Sequence, residues 1–109
     1  MNMIYYIIIS KTTRKYFVNK SSHPEKSVRH HFSRAENPDR EDYNSEFYAA
    51  IRREGSWNFD ISFSLEMPQY ATSRAHYMPA PEGLTLEQMR GHYVIEKPVK
   101  GQKMKREKK

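Results

Sequence analysis

A run of seven consecutive apolar residues near the start of the chain, Met3–Ile9, constrains the fold more than any other feature. Because it is apolar at every position rather than at alternate ones, the run is typical of a strand that is buried on both faces. It is far shorter than the roughly 20 residues that span a bilayer, and it lacks the basic start and the cleavage site of a signal peptide. We therefore expect the central strand of a covered sheet, in a cytoplasmic protein that makes no membrane contact. The absence of cysteine fits that reducing compartment.

A basic turn separates this run from a second strand, Lys15–Val18, and the pair is expected to form a β-hairpin. With the turn centred on its two threonines, Tyr5 lies opposite Lys20, and Tyr16 lies opposite Ile9. Because alternate residues of a strand share a face, Tyr5 and Tyr16 should then project from the same side of the sheet.

The first helix is predicted by a capping box at Ser22 and Glu25, with a proline in the first turn. It is expected to extend to about Ala35. Helical periodicity gives it a buried stripe and a polar stripe. The buried stripe is Val28, Phe32 and Ala35, and the polar stripe is His23, Ser27, His31 and Arg34.

A second helix should begin at a cap formed by Asn44 or Ser45 and end at Gly55. The segment that follows, Phe59–Glu66, alternates strictly between apolar and polar residues. This pattern predicts a half-buried strand, at a sheet edge or with only one face covered.

The segment Met67–Gly83 has three prolines and no periodicity, which favours a lid or a partner-binding loop. A second capping box at Thr85 and Gln88 predicts a last helix that extends to about Glu96. The fold class expected is therefore α+β, with a small three-stranded antiparallel sheet flanked by about three helices. One domain should occupy residues 1–96, followed by a basic, disordered tail.

Charge is distributed unevenly along the 109 residues. The tail, residues 97–109, has seven Lys/Arg and one Glu, whereas the other 96 residues have twelve basic and twelve acidic side chains. Within that neutral part, residues 10–34 are basic and residues 35–66 are acidic. The pattern excludes a uniformly basic nucleic-acid-binding protein, but it allows one basic face that contacts phosphates.

Taken in order, these segments resemble the GIY-YIG nuclease superfamily. Met3-Ile4-Tyr5 resembles its first motif, and Tyr16-Phe17-Val18 resembles its second. His23–Phe32 is similar to its first helix, and Glu46–Met67 is similar to its stretch of helix, glycine and aromatic-rich strand. The resemblance covers about residues 3–96. Small, Lys-rich relatives are familiar from bacteriophages, so the resemblance also suggests a phage accessory or anti-defence role in a host cytoplasm.

In that family two tyrosines, a helix arginine, a glutamate and sometimes a histidine surround one divalent metal and the scissile phosphate. Carried over to this chain, Tyr5 and Tyr16 match the tyrosines and His31 matches the histidine. The arginine position falls on Ser27, and the glutamate position falls on Gly91. Because Mg²⁺ depends on hard oxygen ligands, the resemblance implies a degenerate nuclease without a metal cofactor.

Such a domain would act by binding nucleic acid or a protein partner. For nucleic acid, the expected contacts to phosphate are Ser27, Arg29, Arg34 and Lys15. One alternative is an active Mg²⁺-dependent DNA endonuclease, in which Arg29 or Arg34 replaces the missing arginine and Glu87 supplies the metal carboxylate.

A further alternative is a protein-binding inhibitor without affinity for nucleic acid. Its anchors would be the aromatic residues of the long loop, namely Tyr70, His76 and Tyr77. Trp57, beside the glycine that ends the second helix, is expected to anchor the core or a turn rather than to stack on a base.

Overall fold

The structure is a computed structural model that describes residues 3–72, 74–91 and 93–95. Five antiparallel strands form one sheet in the order β4-β2-β1-β3-β5. The strands are β1 (Ile4–Ser10), β2 (Tyr16–Ser21), β3 (Phe59–Ser64), β4 (Tyr77–Met78) and β5 (Tyr93–Ile95), and the α-helices are α1 (Pro24–Arg34), α2 (Glu46–Glu54) and α3 (Leu86–Met89). Short 3₁₀ turns lie at Glu41–Asn44 and Ser56–Asn58. The predicted α+β class with an antiparallel sheet is confirmed, but the sheet has two more strands than the three expected.

β1 lies at the centre of the sheet, as its continuous apolar run predicts. β2 pairs with it in the expected register, with Tyr5 opposite Lys20 and Ile9 opposite Tyr16. β3 pairs along its other side, with Tyr6 opposite Phe63. Every residue of β1 from Tyr6 to Ser10 is buried, so both faces of the sheet are covered here.

α1 and α2 cover one side of the sheet, called here the helix face. Its core contains the predicted inward residues of both helices, packed on alternate residues of β1, β2 and β3. Ser45 caps α2, because its side chain accepts a hydrogen bond from the Tyr48 amide, and Gly55 ends the helix at a φ of +89°. The capping box expected at Ser22 is wrong, since α1 begins after His23 with no side-chain cap.

The long loop covers the other side of the sheet, where several of its apolar residues pack on the strands. Residues 65–72 and 74–91, called here the covering segment, pack on Ile7, Ile9, Tyr16 and Val18 and bury a second apolar cluster. The covering segment contributes Tyr70, Ala71, Met78, Ala80, Leu84, Leu86 and Met89 to that cluster.

Two of the three aromatic residues expected to anchor a protein partner pack within the domain. The Tyr70 hydroxyl donates a hydrogen bond to the Met89 carbonyl at 2.7 Å. The Tyr77 ring lies 5.2 Å from the ring of Phe47. Only His76 is exposed.

β3 is buried on both faces, so the expected half-buried edge strand is wrong. Its polar residues face the covering segment, where they find partners. Asp60 accepts from the Arg90 side chain at 3.0 Å and 2.8 Å, and the Ser62 hydroxyl accepts from the Gly91 amide at 2.9 Å. These hydrogen bonds offset the cost of burial, although both Arg90 contacts go to Oδ1 of Asp60 and its Oδ2 is buried without a hydrogen-bond partner among the described residues.

The last helix is much shorter than predicted. Its capping box forms as expected, with reciprocal bonds between Thr85 and Gln88, but the helix ends at Met89. The chain then turns into β5, where Tyr93–Ile95 pairs with Ile61–Phe63 of β3. Residues of this kind favour strands, and pairing satisfies the backbone groups along the free side of β3.

No helix in the described ranges is long and apolar enough to cross a membrane. The predicted basic tail, residues 97–109, lies outside the described residues.

Candidate functional site

Tyr5 and Tyr16 project from the same side of the sheet, as expected, but the covering segment lies over them. Tyr16 is 2% exposed, and its ring meets the ring of Tyr70 edge-on at 5.0 Å. Tyr5 is half-buried, with the Lys20 ammonium 5.9 Å from its ring centroid. Tyr16 therefore serves as a core residue of the second apolar cluster and offers little surface to a ligand.

His31 lies on the helix face, on the opposite side of the sheet from Tyr5 and Tyr16. Its Nε2 is 2.8 Å from the hydroxyl of Tyr6, and its Nδ1 is 2.8 Å from the hydroxyl of Tyr48. Since Tyr5 and Tyr6 are neighbours in β1, they project to opposite sides. The structure thus does not bring the three residues expected to be catalytic into one site.

The phenol–imidazole–phenol chain is uncharged at neutral pH. Burial, with a smaller contribution from Arg34, lowers the pKa of His31 to about 4. Burial raises the pKa of Tyr6 to about 12, and it also raises the pKa of Tyr48. A general base works best with a pKa near the operating pH, so the hydrogen-bonded series Tyr6–His31–Tyr48 is poorly suited to activate a water molecule.

Gly91, the position that the resemblance assigns to the metal glutamate, has no room for a side chain. A Cβ added there would lie 2.2 Å from the carbonyl oxygen of Phe63. Glu87, the alternative carboxylate, is exposed on α3, on the same side of the sheet as the covering segment. Among the described residues, no group of three or more His, Cys, Asp or Glu side chains could hold a metal ion.

The four residues expected to contact phosphate have different surroundings. The Ser27 hydroxyl donates to the Ser21 hydroxyl at 2.8 Å, and Lys15 forms an ion pair with Glu46. Arg34 is half-buried beside the histidine and tyrosines of the helix face. Arg29 is exposed and forms no ion pair within the described part of the chain, so it is the best placed of the four for a ligand.

Arg29 lies at the edge of a groove of 430 Å³ between α1 and α2, called here the α1–α2 groove. Phe32 and Ile51, both almost completely buried, line it, and Gly55 and Ser56 lie at one end. Its remaining lining residues are polar, namely His30, Ser33, Glu36 and Arg52.

Arg52 fixes one wall of the α1–α2 groove. Its guanidinium donates to the Ala35 carbonyl at 2.6 Å and stacks on the Tyr43 ring at 3.6 Å. The positive charge is therefore held in place by the end of α1 and by the loop that joins the two helices.

The sequence interpretation named only Arg29 from the exposed stripe of α1 beside this groove. Lys26, Arg29, His30 and Ser33 are all exposed, and their spacings of three, one and three place them on one face. The same periodicity argument that selected the stripe containing His31 applies to this stripe one position away. Because His31 is largely buried, its stripe faces the domain, and the neighbouring stripe is the one exposed to solvent.

Trp57 does not lie in the core, which was one of its two expected positions. It is 69% exposed in the 3₁₀ turn Ser56–Asn58, where its ring packs against Gly55, a lining residue of the α1–α2 groove.

Comparison with protein-family models, with curated proteins and with solved structures finds no match to this chain. Its function is therefore argued from the geometry of these surfaces.

Proposed function

We propose that this chain is a degenerate GIY-YIG-like domain that binds nucleic acid through the exposed stripe of α1 and does not cleave it. The observation that carries the proposal is the exposure of Arg29, without an ion-pair partner among the described residues, at the edge of the α1–α2 groove. Lys26 and His30 share its face of the helix. Phosphate contacts of this kind supply most of the affinity of non-specific nucleic-acid binding.

The absence of cleavage is supported by two features of the site. Tyr16 and His31 lie on opposite sides of the sheet, and Gly91 replaces the carboxylate that the resemblance would require. A phosphodiesterase of this kind needs its base, its cation and its metal around one phosphate.

The strength of binding should be modest. Glu25 and Glu36 flank the basic stripe, so the domain itself offers a small excess of positive charge to a phosphate backbone. We expect micromolar dissociation constants at low salt, with affinity that falls steeply as salt is added.

The test is fluorescence anisotropy with labelled single-stranded and duplex oligonucleotides at 50 mM salt. Replacing Lys26 and Arg29 together by alanine should weaken binding about tenfold or more, since each phosphate contact contributes roughly 1 kcal/mol. The matched control replaces Arg40 and Arg74 by alanine. It removes the same charge from other exposed positions and should change affinity less than about threefold.

Two results would contradict the proposal. One is the absence of binding to any DNA or RNA at low salt, which would favour a protein partner. The other is plasmid cleavage with Mg²⁺ or Mn²⁺ that is lost in Tyr5→Phe or Tyr16→Phe, which would restore the nuclease interpretation.

A further inference from the structure

The most exposed large apolar side chain among the described residues is the indole of Trp57, the only tryptophan of the chain. It lies in the 3₁₀ turn Ser56–Asn58, directly after α2. A tryptophan left 69% exposed loses the burial energy that normally stabilises it, so its place on the surface calls for an explanation.

The indole is held in a defined position. A Cβ on Gly55 would lie 2.6 Å from the indole nitrogen, so the ring packs against the bare backbone of that glycine. The Lys11 ammonium donates to the Trp57 carbonyl at 3.2 Å, and the Lys11 amide donates to the Asn58 carbonyl at 2.8 Å. The hairpin turn is thus fastened to the turn that presents the indole.

A network of polar side chains also holds the hairpin turn to the 3₁₀ turn that contains Trp57. Glu54 accepts hydrogen bonds of 2.7 Å from both the Ser10 hydroxyl and the side-chain amide of Asn58. The same side-chain amide donates to the Thr12 hydroxyl at 3.2 Å. These side chains join the end of α2 to the hairpin. The ring therefore needs little ordering on binding, which favours affinity.

The surroundings of the indole are basic. Lys11 and Arg14 extend from the exposed hairpin turn, and Arg53 is exposed at the end of α2. The Glu54 carboxylate, three residues before Trp57, is 12% exposed and is used by the network and by Arg53. Gly55, against which the indole packs, lines the α1–α2 groove together with Arg29, so the ring lies next to a residue of that groove.

We propose that Trp57 is a stacking platform for an unpaired base of a single-stranded nucleic acid, whose backbone follows the α1–α2 groove toward Arg29. This inference rests on the proposed nucleic-acid function and specifies the kind of nucleic acid. An exposed aromatic ring beside cations is suited to a base and its phosphates, because every base has a flat face. Bases inside a duplex are already stacked on their neighbours, so the platform selects single strands.

The test uses the intrinsic fluorescence of Trp57, which reports on this site alone. Titration of the full chain with a dT oligonucleotide should quench the emission, and a duplex of the same length should bind at least fivefold more weakly and quench little. Trp57→Ala should weaken single-strand binding about tenfold in anisotropy and leave duplex binding unchanged, whereas Trp57→Phe should retain most of the affinity. Leu65→Ala, which removes another exposed apolar side chain, is the matched control and should have no effect.

The outcomes separate this inference from the function on which it rests. If nucleic acid binds but the emission and the Trp57→Ala affinity do not change, the stacking platform is wrong and the binding function stands. If neither strand type binds, both proposals fail. If polyglutamate quenches the emission as strongly as the oligonucleotide does, the surface instead recognises an acidic peptide and the stacking proposal is overturned.

Discussion

At the scale of single residues, the histidine between Tyr6 and Tyr48 couples the stability of this fold to pH. A neutral imidazole has one donor and one acceptor nitrogen, so one phenol donates to His31 and the other accepts from it. Protonation would turn both nitrogens into donors inside a largely buried site. Both phenol oxygens could accept from those donors, so the cost of protonation is mainly that of a positive charge in a largely buried place near Arg34.

We predict that the free energy of unfolding falls as the pH is lowered from about 6.5 to about 4. The pKa of His31 is about 4 in the folded protein and 6.5 in an unperturbed histidine, so the unfolded chain takes up the proton first. The neutral form is fully stabilising above pH 6.5, and that contribution is lost as the pH falls toward the folded pKa. The loss should be roughly 3 kcal/mol, measured by urea unfolding at several pH values.

His31→Gln should flatten this pH dependence, although it also lowers stability at pH 7 by disturbing both hydrogen bonds. His30→Asn changes the neighbouring, exposed histidine and should leave the pH dependence in place. An unaltered slope in His31→Gln would mean that other groups cause the acid sensitivity.

At the scale of elements, the passage from α3 to β5 depends on a glycine that backbone packing requires. We predict that Gly91→Ala destabilises the domain by about 2–3 kcal/mol, because the added methyl group meets the main chain of Phe63 and not a side chain that can move aside. Thermal and urea unfolding measure the effect. Gly83→Ala is the comparison variant. Gly83 has a φ of +91°, a strain that Gly91 does not have, but no atom lies within 4 Å of the new Cβ, so the change should cost only about 1 kcal/mol. Equal losses in the two variants would contradict the steric explanation.

The elements that were predicted correctly are those whose signals are local. The apolar run of β1, the hairpin turn, the Ser45 cap and the glycine that ends α2 each act within a few residues. The last helix was predicted too long because its capping box is local, whereas the reason for its end is not. The chain leaves the helix at Arg90 to pair with β3, which is about 30 residues away in sequence.

Burial of polar side chains was equally hard to read from the sequence. Asp60 alternates with phenylalanine and isoleucine, and such alternation ordinarily means that one face is exposed to water. The guanidinium of Arg90 makes burial of that carboxylate tolerable, and only the tertiary fold places the two groups together.

The candidate site was misjudged for a similar reason. Two tyrosines follow one another in β1, and one of them must face the helices. Helical periodicity alone does not say which of them His31 approaches. The structure places it on Tyr6, which separates it from Tyr5 and Tyr16 by the thickness of the sheet.

At the scale of the whole molecule, the net positive charge comes from the last 13 residues of the sequence. Residues 97–109 have a net charge of +6, and the remaining 96 residues are neutral overall. A basic tail attracts any nucleic acid without reading its sequence, and it does so by releasing counterions. The surfaces around Arg29 and Trp57 would then position the bound nucleic acid and select single strands over duplex. The tail would supply most of the salt-dependent attraction.

We predict that deleting residues 97–109 lowers affinity for single-stranded and duplex nucleic acid alike and flattens its dependence on salt. Each phosphate neutralised contributes a slope of roughly 0.7 to 0.9 to the plot of log affinity against log salt concentration, so losing even three contacts is measurable by anisotropy from about 25 to 200 mM salt.

Replacing the seven Lys/Arg of this segment by glutamine is the matched control, since it keeps the length and removes the charge. Both variants should keep the melting temperature of the parent, because Val99 and Met104 are the only large apolar residues removed by the deletion. Preference for single strands should survive in both variants, because it is assigned to Trp57. A salt slope that stays the same after deletion would show that the basic stripe of α1 carries the electrostatic attraction by itself.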